Sequence, residues 1–125
     1  MIERFHPASF APVAVPLSPA TKAGGFVFVS GQVASRPDGS IHLGEFADEV
    51  NLVLDNVEAV LAAAGARPDQ LVKVGAFLTN ATLFGPFNEI YARRWGAAPP
   101  ARTTIVVDFG RGDIRVEVEG IAWVG

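Results

Sequence analysis

Cysteine is absent from the 125-residue chain. That excludes disulfides, thiol nucleophiles and thiolate-bound zinc in one step. Histidine is nearly missing too, with His6 and His42 the only two. They stand far apart with no metal-ligand spacing around either, so both read as surface side chains and no metal site is expected. Charge is sparse and slightly acidic: 18% of residues are charged against 50% hydrophobic, with Lys+Arg 10 and Asp+Glu 13. There is no basic run or stripe. Non-specific nucleic-acid binding needs one to displace counterions, so no nucleic-acid partner is expected. No apolar run approaches the ~20 residues of a membrane span, and residues 1–7 hold no signal-peptide core. A cytoplasmic protein without membrane contact is the expectation. Gly24-Gly25 and Gly110-Arg111-Gly112 match neither a dinucleotide fingerprint nor a phosphate-binding loop, and nothing around Ser30 resembles a nucleophile elbow.

What is present is a pattern of short elements. Pro7, Pro12, Pro16 and Pro19 rule out a helix in the first twenty residues and predict an extended arm, with a short edge strand around Val13 to Val15. Residues 26–30 read as a strand after the Gly24-Gly25 turn. Gly31 interrupts it, and residues 32–34 continue it past a bulge. Pro37-Asp38-Gly39-Ser40 is a turn leading to Ile41-His42-Leu43. The spacing of Phe46, Val50, Val53, Leu54, Val57 and Leu61 predicts a helix over residues 45–64, with Asp48, Glu49 and Asp55 off the apolar face and Gly65 as its stop. Alternation over residues 71–78 predicts a strand. A second helix follows, with Pro86 in its first turn and Phe87, Ile90, Tyr91 and Trp95 on one side. Residues 102–109 and 115–124 read as two more strands, and the Gly110–Asp113 loop between them suggests an antiparallel pair.

The resulting order, β-β-α-β-α-β-β, predicts one α/β domain over residues 1–125, a mixed sheet with two helices packed on one face. That leaves the other face bare. With so apolar a composition, a partner subunit is its simplest cover.

Charges within the last strands are the informative ones. Arg102 stands at the mouth of a strand, and a guanidinium fork on a rigid strand suits a small carboxylate. Glu117 and Glu119 share one face of the following strand. An ion pair between Arg102 and Glu119 is the structural alternative, and the hairpin register decides between the two. Gly31 marks either the close approach of a ligand or a plain bulge. Asn88 caps a strand end or faces a pocket.

The ordered series of segments carries a resemblance. Gly25-Phe26-Val27-Phe28-Val29-Ser30-Gly31-Gln32, Asp55-Asn56-Val57-Glu58-Ala59-Val60-Leu61 with Ala64-Gly65, and Phe87-Asn88-Glu89-Ile90-Tyr91 form its first part. Pro99-Pro100-Ala101-Arg102-Thr103 and Val116-Glu117-Val118-Glu119-Gly120-Ile121-Ala122 complete it. Together they resemble the Rid family, the reactive intermediate deaminases also called YjgF-type. The resemblance implies a chorismate-mutase-like fold, a homotrimer with sites in the clefts between subunits, and hydrolysis of enamines and imines to 2-keto acids and ammonia without cofactor. It assigns Arg102 to the substrate carboxylate, Gly31 to a backbone contact, Asn88 to the cleft lining and Glu119 to the water. Leu17 departs from the pattern: the family's tyrosine is replaced, a phenolic hydrogen bond is lost and an apolar wall gained. That points to a larger or more apolar imine, with a pathway-specific, aminomuconate-type deaminase or a non-catalytic small-acid binding protein as the alternatives.

Overall fold

The computed structural model describes residues 1–125. Six strands form one sheet: β1 (Glu3–Phe5), β2 (Ala20–Ala23), β3 (Phe26–Gln32), β4 (Leu71–Leu78), β5 (Ala101–Val106) and β6 (Val116–Trp123). Two helices, α1 (Phe46–Ala63) and α2 (Phe84–Trp95), cover one face. This is the mixed α/β sheet with two helices on one face that the sequence predicts.

Alternation builds the core. Val116, Val118 and Ala122 of β6 are buried with Val27, Val29, Val74, Ala76 and Leu78, while the intervening β6 residues Glu117, Glu119, Ile121 and Trp123 turn to the open face. The α1 stripe of Val50, Val53, Leu54, Val57 and Leu61 is fully buried against that layer. The helix stops as predicted at Gly65, whose φ of 78° lets Gly65 N–H reach Ala62 O and Ala66 N–H reach Leu61 O. That is the paired closure of a Schellman turn.

Three expectations are corrected. No strand forms at Val13–Val15, where flanking Pro12 and Pro16 remove donors from the segment. The strand lies instead at Ala20–Ala23, joined to β3 through Gly24-Gly25 in a tight hairpin. Residues 102–109 and 115–124 are not a hairpin. The sheet order is β1-β2-β3-β6-β4-β5, so β5 ends at Val106 and lies parallel to β4, while β6 runs antiparallel between β3 and β4. The unit β4-α2-β5 is a crossover, the connection that two parallel neighbours require, and residues 107–115 lead from β5 to β6.

Glu49 is the third correction. Placed off the apolar face by its spacing, it is nonetheless buried, at 1% exposed. Its carboxylate accepts from Arg115 Nε at 2.7 Å and from the Arg115 backbone N–H at 2.8 Å. The guanidinium also donates to Gly44 O at 2.6 Å and stands over the Phe46 ring. One charge-assisted and one backbone hydrogen bond, a donor for each oxygen, let a carboxylate be buried there.

The Gly31 bulge forms where expected: Val29 pairs with Gly120 and Gln32 with Val118, so β3 carries one extra residue. On the open face, Phe26, Phe28, Ile105 and Trp123 are all exposed.

Candidate active site

Pro99 and Pro100 deliver an extended chain into β5, and Arg102 falls in register with buried Val74. Its side chain therefore lies on the helix side of the sheet, at the edge. There α2 receives it. Phe87 and Tyr91, one helical turn apart, offer two ring faces to the guanidinium at 5.4 and 4.7 Å, and Nη2 donates to Asn88 Oδ1 at 2.6 Å. Arg102 takes part in no salt bridge. Stacking and a single neutral acceptor hold the fork in place and leave most of its five donors free. Asn88 thus faces the arginine and caps no strand.

The ion pair between Arg102 and Glu119 does not exist, because the register puts them on opposite faces. Glu119 opposes Gly75, and Glu117 opposes Phe77. Both carboxylates lie over glycines. An added Cβ at Gly75 would stand 3.0 Å from Glu119 Cγ, and one at Gly31 would stand 2.7 Å from Glu117 Cδ. Glu117 is half-buried, and burial, with the neighbouring Glu119 charge adding to it, pushes its carboxyl above the ordinary value. A carboxyl so placed is suited to exchanging protons.

Gly31 also lines a cavity of about 450 Å³ between the N-terminal arm, the β3 bulge and α1. Leu17 forms part of its wall with Phe10, Val13 and Gln32. Asn56 borders it, tied by its Nδ2 to Val33 O and Ser35 O at 2.9 Å each.

The predicted residues therefore fall into two groups within one chain. Arg102 and Asn88 form one. Gly31 and Leu17 form the other, with the Glu117–Glu119 pair beside Gly31. Strands β6 and β4 lie between β3 and β5, so three strand spacings, roughly 14 Å, separate the groups. The closeness of Glu117 to Gly31 is invisible in the sequence, because only the strand register brings the two together. Phe87 and Tyr91 belong to the core and also form a ring platform, for which their one-turn spacing beside Asn88 is the signal.

A small α/β protein with an unpaired, stacked arginine at its sheet edge and two carboxylates on its open face, one over a bulge glycine, is the class defined by this geometry. The sequence model described as Endoribonuclease L-PSP matches residues 8–124, and the chain belongs to that family, which includes the YjgF, RutC and Rid proteins. A RutC family protein of Pyrococcus horikoshii, PH0854, is 38% identical over 109 residues, 86% of each chain. The crystal structure of YyfA from Yersinia pestis, described as a protein of unknown function of the conserved Rid family, superposes with a TM-score of 0.90 at 33% identity over 99% of this chain and 100% of that one. The structure of Escherichia coli TdcF with bound serine gives 0.86 at 30% identity over 98% and 99%.

Proposed function

We propose that this protein is a cofactor-free deaminase that hydrolyses enamine and imine intermediates of amino acids to 2-keto acids and ammonia. The observation that carries the reading is Arg102, a guanidinium stacked on two aromatic rings, hydrogen-bonded to Asn88 and paired with no carboxylate of its own chain. A substrate carboxylate supplies the missing partner and is fixed by the fork in one orientation.

The chemistry needs little else. A protonated imine carbon is already electrophilic. Water adds to it to give a carbinolamine, a proton moves from oxygen to nitrogen, and the C–N bond breaks to release ammonia and leave the keto acid. A carboxylate that accepts a proton from the water and returns it to the leaving nitrogen contributes about a hundredfold to ten-thousandfold. Of the pair, Glu119 is the residue assigned by family resemblance. The closeness of Glu117 to Gly31 and its raised carboxyl favour Glu117 as the group that handles protons, with Glu119 keeping it basic.

The two groups of residues lie too far apart for one small acid to touch both within one chain. A homotrimer resolves this: Arg102 and Asn88 of one subunit meet Gly31, Leu17 and the carboxylates of the next in a shared cleft. The exposed aromatics of the open face support such an assembly. TdcF is described with bound serine, an amino acid, and that supports a carboxylate-bearing ligand. No helix is long and apolar enough to cross a membrane, and a cytoplasmic setting is part of the same proposal.

The test is a coupled assay for ammonia and 2-keto acid, with imines generated in situ from several amino acids by an amino-acid oxidase. Turnover should be lost in Arg102→Ala. Full turnover in that variant overturns the reading. Saturable keto-acid binding with no ammonia released would instead establish a non-catalytic small-acid binding protein.

A further inference from the structure

We propose that the Tyr91 hydroxyl is a second donor to the carboxylate held by Arg102, making Tyr91 a substrate-binding residue as well as a core aromatic. The inference rests on the carboxylate reading of Arg102 and names another residue of that site.

Tyr91 is 5% exposed, yet its hydroxyl has no hydrogen-bond partner. Buried hydroxyls almost always find one, and an orphan weakens the fold unless a ligand or water completes it. Thr104 Oγ1 is a second orphan, two positions after Arg102 on the same strand and so on the same face. Two unpartnered hydroxyls on the residues around one unpaired guanidinium describe a site that lacks an acceptor. A carboxylate is acceptor-only, with about four lone-pair positions against the two a fork engages, so it can take both the guanidinium and further donors. The geometry allows this. The Arg102 Cζ stands 4.7 Å from the Tyr91 ring centroid, and the hydroxyl extends from that same ring. The phenol is also equipped to donate: burial raises its pKa, and the opposing influence of Arg102 is the smaller of the two, so the proton stays on at neutral pH.

Tyr91 is the only tyrosine in the chain, so a ¹³Cζ-tyrosine label reports on this hydroxyl alone. The experiment titrates 2-oxobutanoate into the parent protein, Tyr91→Phe and Arg102→Ala, following binding by calorimetry and the label by NMR in the parent. Melting temperatures are measured without ligand. The expected result is binding lost in Arg102→Ala, weakened roughly tenfold in Tyr91→Phe, and a ¹³Cζ shift that saturates with the binding curve. Unliganded Tyr91→Phe should melt at or above the parent, because an orphan group has been removed. Parent-like affinity in Tyr91→Phe with a silent label overturns this inference and leaves the Arg102 reading standing. A lower melting temperature with unchanged affinity does the same, and assigns the hydroxyl to a buried water. Equal binding by Arg102→Ala, or none by the parent, overturns the Arg102 reading and the inference with it.

Discussion

Glu117 lies across Gly31 so closely that a methyl group there would stand 2.7 Å from its Cδ and 2.8 Å from its Oε2. The obstructing atoms are the free end of a flexible side chain, and Gly31 does not occupy the positive-φ region. Gly31→Ala should therefore fold, with a stability change within about 1 kcal/mol. The displaced carboxylate is another matter: kcat should fall on the order of a hundredfold. Melting curves and turnover measured together check this, and a variant with parent-like kcat removes Glu117 from the proton-handling role.

The same carboxylate gives the fold a pH signature. Burial, then the Glu119 charge, raises the Glu117 pKa above its ordinary 4.5. A raised carboxyl binds more protons in the folded than in the unfolded chain, so stability falls as pH climbs from 4.5 through the raised value and stays reduced above it. Glu117→Gln removes that penalty. It should melt higher than the parent near neutral pH, and the difference should close as pH drops below 4.5. A difference that ignores pH would contradict the assignment.

Asn88 holds the Arg102 fork with a neutral acceptor at 2.6 Å. Asn88→Ala frees the arginine and should raise KM about fivefold to tenfold with little change in kcat. Asn88→Asp supplies an internal anion that competes with the substrate, so its KM should rise further, and more steeply at low salt. If the aspartate variant binds better than the alanine one, Asn88 does not set the charge of this site.

Leu17, 49% exposed, lines the cavity of about 450 Å³ that Gly31 also borders. Leu17→Tyr fills part of that space and restores a hydroxyl. Turnover should shift toward imines of small amino acids and away from bulky apolar ones, by about tenfold in the ratio of kcat/KM. Parallel assays on the imines of alanine and leucine read the ratio directly.

The Glu49–Arg115 pair joins α1 to the start of β6. Arg115→Met leaves a fully buried carboxylate with one backbone donor and should cost about 3 kcal/mol. Combining it with Glu49→Met should recover part of that loss, because no uncompensated charge remains. Denaturant unfolding of the four proteins closes the cycle.

Residues whose role follows from local pattern were legible before folding. The apolar stripe of α1, its stop at Gly65, the strand over 71–78 and the bulge at Gly31 each come from spacing or from one residue's backbone freedom. Partnership was not legible. Alternation says which face a residue takes but never which strand lies beside it, so β5 and β6 read as neighbours, and the side of Arg102 stayed open. The spacing places Glu49 off the apolar face and gives no sign of its burial, because its partner lies 66 positions away. The arginine, asparagine and glycine of the site were visible as residue types. Their division between two groups, the placement of Glu117 over Gly31 and the ring platform under Arg102 depended on tertiary register.

Strand β6 pairs with both β3 and β4, and it follows every other strand in the chain. Until residues 116–123 have been synthesised, the sheet is two separate pieces, a β1-β2-β3 meander and a β4-α2-β5 crossover, each with one long edge waiting. Those edges are the hazard of a nascent chain, open to pairing with any other extended segment. Assembly is therefore a single late event of high contact order, in which inserting one strand closes the core and joins the piece that carries Gly31 to the piece that carries Arg102.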